Sequence, residues 1–178
     1  MRLCLRLNLL FAICLLSYSA YAHELGAHVH GVAILQIAVD QKLVTVDFSS
    51  PLDNLIGFEH KPNNDQQKLA VQDMVKTFSS PVQLFILPKT AQCTLKSTTL
   101  KSLVIDSKDP RENQDEPAGH ADLDAEFIFT CSNTDKANGM QVSLFKRYQN
   151  LHMINAQVAT NHGQTASQLT PSKTQISW

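Results

Sequence analysis

Val32-Ala33-Ile34-Leu35-Gln36-Ile37-Ala38-Val39 is followed by Asp40-Gln41-Lys42 and then by Leu43-Val44-Thr45-Val46-Asp47-Phe48. The first run is nearly all apolar, as in a strand buried on both faces or lying at a sheet centre. The second mixes β-branched and aromatic residues, and the polar triplet between them turns the chain. The stretch therefore reads as a β-hairpin, ended by Ser49-Ser50-Pro51.

Outward from the hairpin, Asp122 to Cys131 alternates cleanly, with Leu123, Ala125, Phe127, Phe129 and Cys131 on one face of a half-buried strand. Asp53 to Pro62 reads as a compact loop or single helical turn. Asn64 is placed to cap a helix, with Gln67 at capping-box spacing. Val71, Met74, Val75 and Phe78 then form a core-facing stripe that stops at Ser79-Ser80-Pro81. Val82 to Leu87 is expected as a short second helix, and Cys93 to Ile105 as one or two strands. Met140 to Phe145, Ile154 to Thr160 and Ile176 to Trp178 are expected as strands, and Asn161-His162-Gly163 as a turn into Gln164 to Leu169. Residues 106–119 hold five acids, Pro110 and Pro117, and no apolar side chain larger than Ala118, the composition of an exposed, mobile acidic loop. With about seven strands and one substantial helix, the expected class is α+β with mainly antiparallel sheet.

The first 22 residues have the form of an export signal. Arg2 and Arg6 make a basic start, Leu7 to Leu16 is apolar apart from Asn8, and Ala20-Tyr21-Ala22 suits signal peptidase. The apolar stretch is short for a membrane span, and Ile13 before Cys14 does not fit a lipoprotein signal. Cleavage leaves residues 23–178 as a single domain. Thirteen Lys and Arg then stand against sixteen Asp and Glu, a net charge of −3 that excludes a nucleic-acid footprint. Export predicts a periplasmic protein with no membrane anchor. It also makes a Cys93–Cys131 disulfide the default pairing; the competing reading makes both thiolates metal ligands.

The histidines carry the chemistry. His28 and His30 are separated by one residue before the first strand and would project from the same face, side by side. Zinc and copper bind neutral imidazole nitrogen held at about 2 Å. His120 and Asp122 stand at the entrance of the alternating strand. If that strand pairs near residues 29–39, His28, His30, His120 and Asp122 meet around one ion. Asp124 and Glu126 share that polar side and are read as solvent-facing. His60, beside Glu59, is a further candidate ligand, whereas His152 and His162 read as surface or turn residues. After cleavage His23 becomes the first residue, and its amine and imidazole together can chelate Cu2+. That arrangement resembles the histidine brace of copper oxygenases and some copper carriers, and makes a copper carrier the alternative. No His-Glu-x-x-His or Gly-x-Ser-x-Gly occurs, so a zinc-dependent hydrolase has little support and the protein reads as no enzyme.

His28-Val29-His30-Gly31-Val32-Ala33, Gly57-Phe58-Glu59-His60, His120-Ala121-Asp122, Phe129-Thr130-Cys131 and Ser143-Leu144-Phe145-Lys146-Arg147 stand in an order that resembles the ZrgA-like family. These are zinc-regulated, zinc-binding proteins of the Gram-negative periplasm. The resemblance spans essentially all of residues 23–178. It implies Zn2+ binding in support of zinc acquisition, beside a zinc ABC importer or its solute-binding protein. Members often carry a long histidine-rich insert where this chain has residues 106–119, which contain no histidine. High-capacity loading is therefore not expected, and one or two folded sites are.

Overall fold

The computed structural model describes residues 29–106 and 121–178. The expected signal segment, and the acidic loop beyond Asp106, lie outside the described residues. The hairpin forms as β1 (Val32–Asp40) and β2 (Leu43–Pro51), paired antiparallel with Ile37 opposite Val46. A helical turn α1 (Asp53–Ile56) and the helix α2 (Asp65–Phe78) follow. Then come β3 (Phe85–Ile86), β4 (Cys93–Lys101) and a turn α3 (Leu103–Asp106). The chain continues through β5 (Asp122–Cys131), β6 (Gly139–Val142), a turn α4 (Leu144–Arg147), β7 (Met153–Thr160), β8 (Gly163–Leu169) and β9 (Gln175–Ser177).

Six strands form one sheet in the order β4-β5-β2-β1-β7-β8, and three short ones a second in the order β3-β6-β9. Every pairing is antiparallel except β1 with β7. The α+β class with mainly antiparallel sheet therefore holds. β1 is central, as its composition suggested, but it is buried on one face only: Leu35 is fully covered while Ile34 is 41% exposed. The apolar character of that strand reflects its position in the sheet rather than two covered faces.

One face of the large sheet carries the core. Leu35, Ile37, Val44, Val46, Phe48, Leu123, Phe127 and Phe129 point to it, and α2 with the small sheet closes over it. The helix begins where expected: Asn64 Oδ1 accepts from the Gln67 N–H at 2.9 Å, and Gln67 Oε1 accepts from the Asn63 N–H at 2.7 Å. Val71, Met74 and Phe78 are buried along its inner stripe. Phe78 stacks on Phe48 at 5.5 Å and on Tyr148 at 5.9 Å, and Phe85 meets Phe127 at 5.3 Å. These aromatic contacts join helix, large sheet and small sheet in one cluster.

Two local expectations are corrected. Val82 to Leu87 is not a helix: a 3-10 turn at Pro81–Gln83 leads into β3, whose Phe85 pairs with Val142 of β6. Pro88 disfavours helical backbone at Leu87, and burying Phe85 in the core outweighs any local helix preference. Met140 to Phe145 is a strand only to Val142, after which Leu144 and Phe145 are buried from the turn α4. Cys93 and Cys131 are direct partners across β4 and β5 with Cα atoms 3.9 Å apart, joined as a disulfide. The thiolate-ligand reading thereby falls. The chain-entropy model assigns closure of such a loop about 4 kcal/mol.

Replacing Phe78 by alanine removes the ring shared by three neighbours. The expected loss is about 3–5 kcal/mol of unfolding free energy, measured by urea denaturation with the disulfide intact.

Candidate metal centre

One end of the large sheet gathers the polar residues. There β1 begins, β2 ends, and β5 and β7 both begin: Val32 is opposite Met153, and Pro51 is opposite Asp122. The Leu52 N–H donates to the Ala121 carbonyl at 2.9 Å, which carries the chain from β2 straight into α1 beside the start of β5. Gly57, at φ +79, ends α1 in the left-handed conformation that glycine adopts without strain, and its N–H returns to the Asp53 carbonyl. This short turn places Asp53 at its start and Glu59 just beyond its end.

Asn54, on that turn, is the clamp. It is 1% exposed. Its Oδ1 accepts from the Gly31 N–H at 2.6 Å, and its Nδ2 donates to the Val32 carbonyl at 3.0 Å and to Ser50 Oγ at 3.1 Å. One buried amide thus binds the entry to β1, the exit from β2 and α1. Gly31 adds a second restraint. Its φ is +82, and a Cβ there would stand 2.9 Å from His152 Cδ2. Its carbonyl accepts from the N–H groups of both His152 and Met153, at 2.8 and 2.9 Å.

His30 is held by this frame. Its Nε2 lies 3.2 Å from Glu59 Oε1, and its Nδ1 lies 3.6 Å from Asp53 Oδ2. The imidazole is half-exposed, whereas the Glu59 carboxylate is only 11% exposed. Two ligand atoms about 2.0–2.1 Å from a tetrahedral zinc stand roughly 3.3 Å apart. Nε2 and Oε1 are therefore already spaced as neighbouring corners of such a site. Among the described residues, no three His, Cys, Asp or Glu side chains are grouped so as to hold an ion by themselves.

Of the residues singled out from sequence, His30 and Asp122 fall at this end of the sheet. His28 and His120 lie outside the described residues, as does His23. His60 engages its own loop: its Nδ1 is 2.8 Å from the Lys61 carbonyl, and its ring packs on Phe58 at 5.2 Å. A proton on Nδ1 donated to that carbonyl leaves Nε2 as the ring's acceptor. Cys93 and Cys131 are remote, because β5 runs ten residues, about 30 Å at strand rise, from Asp122 to the disulfide. Sequence reading missed Asp53 and Asn54, and it paired Glu59 with His60 rather than with His30. An Asp-Asn pair after a strand is ordinary turn chemistry, so no local signal separates it from a solvated loop.

Asp124 and Glu126 occupy the open face of the sheet, where Glu126 is opposite Asp47. Asp47 has its pKa raised, first by desolvation on that face and then by repulsion from Glu126. A carboxyl raised in the folded state opposes folding once it is ionised. Asp47→Asn should therefore raise the denaturation midpoint at pH 7, and the gain should vanish below the ordinary aspartate value of 3.8, where the parent is neutral as well. For the clamp, Asn54→Ala strands the Gly31 N–H and the Val32 carbonyl. It should cost about 1–3 kcal/mol in urea denaturation. Asn54→Asp, which has the same shape but no N–H, should not restore the loss at neutral pH.

No curated protein matches the chain. A family model described as "ZrgA family zinc uptake protein" matches residues 27–178, a span that contains the whole end-of-sheet cluster together with His28 and His120. The chain belongs to the ZrgA family of zinc uptake proteins.

Proposed function

We propose that the protein is an exported, non-catalytic zinc-binding protein of the periplasm. Residues 23–178 form its mature domain, and it takes up zinc at the end of the sheet where β1 begins. The observation that carries this reading is His30 set between Glu59 and Asp53 on a backbone locked by Asn54. An imidazole beside a nearly covered carboxylate is the donor pairing that Zn2+ favours, and the rigid frame lowers the ordering cost of closing on the ion.

His28, two residues from His30, and His120, two residues from Asp122, are the further ligands in this reading. With Glu59 they make a mixed nitrogen and oxygen set. His60 is a secondary ligand on the same loop as Glu59. No thiolate is available, since both cysteines of the mature chain form the disulfide, so the site favours Zn2+ over Cu+. Zinc here is cargo, held for handover to an importer such as an ABC transporter or its solute-binding protein. Among the described residues no helix is long and apolar enough to cross a membrane.

Isothermal calorimetry with Zn2+ tests the reading. The parent chain should bind zinc, and binding should weaken on acidification because the ligands must lose protons. His28→Ala/His30→Ala should abolish the site, and Glu59→Gln should weaken it about 10–100-fold. Unchanged zinc affinity in the double variant would sink the proposal. Preferential Cu2+ binding, lost when the mature amino terminus is blocked, would point to His23 instead.

A further inference from the structure

The two edges of the large sheet are built differently. β4 at one edge is bulged between Leu95 and Ser97, carries Lys96 and Lys101, and is tied to β5 by the disulfide. Bulges and lysines are the ordinary devices that keep a sheet edge from pairing with another chain. β8 at the other edge is neither bulged nor cross-linked and has no lysine within the strand; the nearest, Lys173, donates from its Nζ to Ser167 Oγ at 2.7 Å. Its seven residues, Gly-Gln-Thr-Ala-Ser-Gln-Leu, contain no charge and no proline, and residues 163–166 and 168 are exposed. Its pairing with β7 is regular from Thr160↔Gly163 to Ile154↔Leu169.

The hairpin geometry shows which backbone groups are turned outward. Only Asn161 and His162 separate Thr160 from its partner Gly163, and a turn of that length closes on a hydrogen-bonded pair. Antiparallel pairs alternate between hydrogen-bonded and non-hydrogen-bonded. Val158↔Thr165 and Ala156↔Ser167 therefore belong to the bonded class. The N–H and carbonyl groups of Gln164, Ala166 and Gln168 consequently point away from β7, out of the sheet.

We infer that β8 pairs antiparallel with β8 of a second copy of this chain, about a two-fold axis at Ala166. The occupant is argued from the sequence of the strand itself. Gln164-Thr165-Ala166-Ser167-Gln168 reads almost the same in both directions, the property that antiparallel self-pairing requires. Ala166 then faces Ala166 of the partner subunit, Gln164 faces Gln168 of the partner subunit, and Thr165 faces Ser167 of the partner subunit. Each amide meets an amide and each hydroxyl meets a hydroxyl, Ser167 with the Lys173 ammonium already on its Oγ and Gln168 with its Nε2 on Asn155 Oδ1, and no residue of the strand itself is charged. The axis at Ala166 also joins the outward-pointing groups to one another, in about six main-chain hydrogen bonds. Such an interface is isologous and closed, so it ends at two copies. The six-stranded sheet becomes one continuous sheet through both copies, with the metal-binding ends at its opposite extremes. Strand pairing alone buries little area, so association should be reversible and dependent on concentration.

Cysteine substitution tests the register. After oxidation of the purified protein, Ala166→Cys should cross-link to its twin. Gln164→Cys and Gln168→Cys should cross-link far less, because neither meets its own counterpart. Sedimentation of the parent across a dilution series should show mass moving from one copy toward two as concentration rises. Ala166→Lys, which sets like charges face to face on an exposed position, should stay at one copy with zinc binding unchanged. That separates failure of this inference from failure of the metal site. A parent that sediments as one copy at every concentration would overturn it, as would equal cross-linking at the three positions.

Discussion

The amide of Asn54 is the constraint from which the functional end of the molecule follows. Three hydrogen bonds from one fully buried side chain tie residues 31 and 32 to residue 50. Nothing else among the described contacts joins the lead-in to β1, the end of β2 and the turn α1 so directly. A buried amide leaves little freedom, because each lost partner costs the desolvation of the group left behind. His30 inherits that rigidity through Gly31, whose positive φ and close approach to His152 leave no space for a side chain. The imidazole is thus exposed on a restrained backbone.

The sheet divides its work between faces and ends. Its inner face is a continuous apolar layer closed by α2 and the small sheet, with the phenylalanine cluster as the common contact. The outer face is open and polar, and there desolvation first and repulsion from Glu126 second raise the pKa of Asp47. The disulfide secures the end of β5 far from the candidate metal centre. Stability is therefore concentrated away from the site. Of the candidate carboxylates, Asp53 belongs to the short turn α1 and Glu59 follows it, outside the strands of the packed layers.

In the proposed site, the placement of the ligands would fit release as well as capture. Zinc held by imidazoles and carboxylates near the surface is bound less permanently than zinc in a closed four-cysteine structural site. Glu59 is nearly covered and His30 half-exposed, so one side chain of the pair is anchored and the other faces solvent. That division matches membership in a family of zinc uptake proteins.

Local periodicity and punctuation were sufficient for much of the architecture. The β1–β2 hairpin, the alternating strand β5 and the Asn64-capped helix with its Val71, Met74 and Phe78 stripe all rest on short-range rules that are visible along the chain, and the cysteine pairing followed from the expected export and the two cysteines left after cleavage. Those rules fail where burial elsewhere decides the outcome, as at Phe85 and Phe145, whose side chains enter the common core from a short strand and a helical turn. They fail for the site as well. His30 was legible as a donor from its own surroundings, but Asp53 and Glu59 lie 23 and 29 positions further on. Their nearness to it arises only when β2 returns beside β1 and α1 turns back across the end of the sheet. The parallel pairing of β1 with β7 is equally non-local, because it joins residues more than a hundred positions apart. Residue types and spacing determined which side chains could bind a cation; the route of the chain through the sheet decided which of them meet, because side-chain proximity is set by strand order and register, and neither is written in any single stretch.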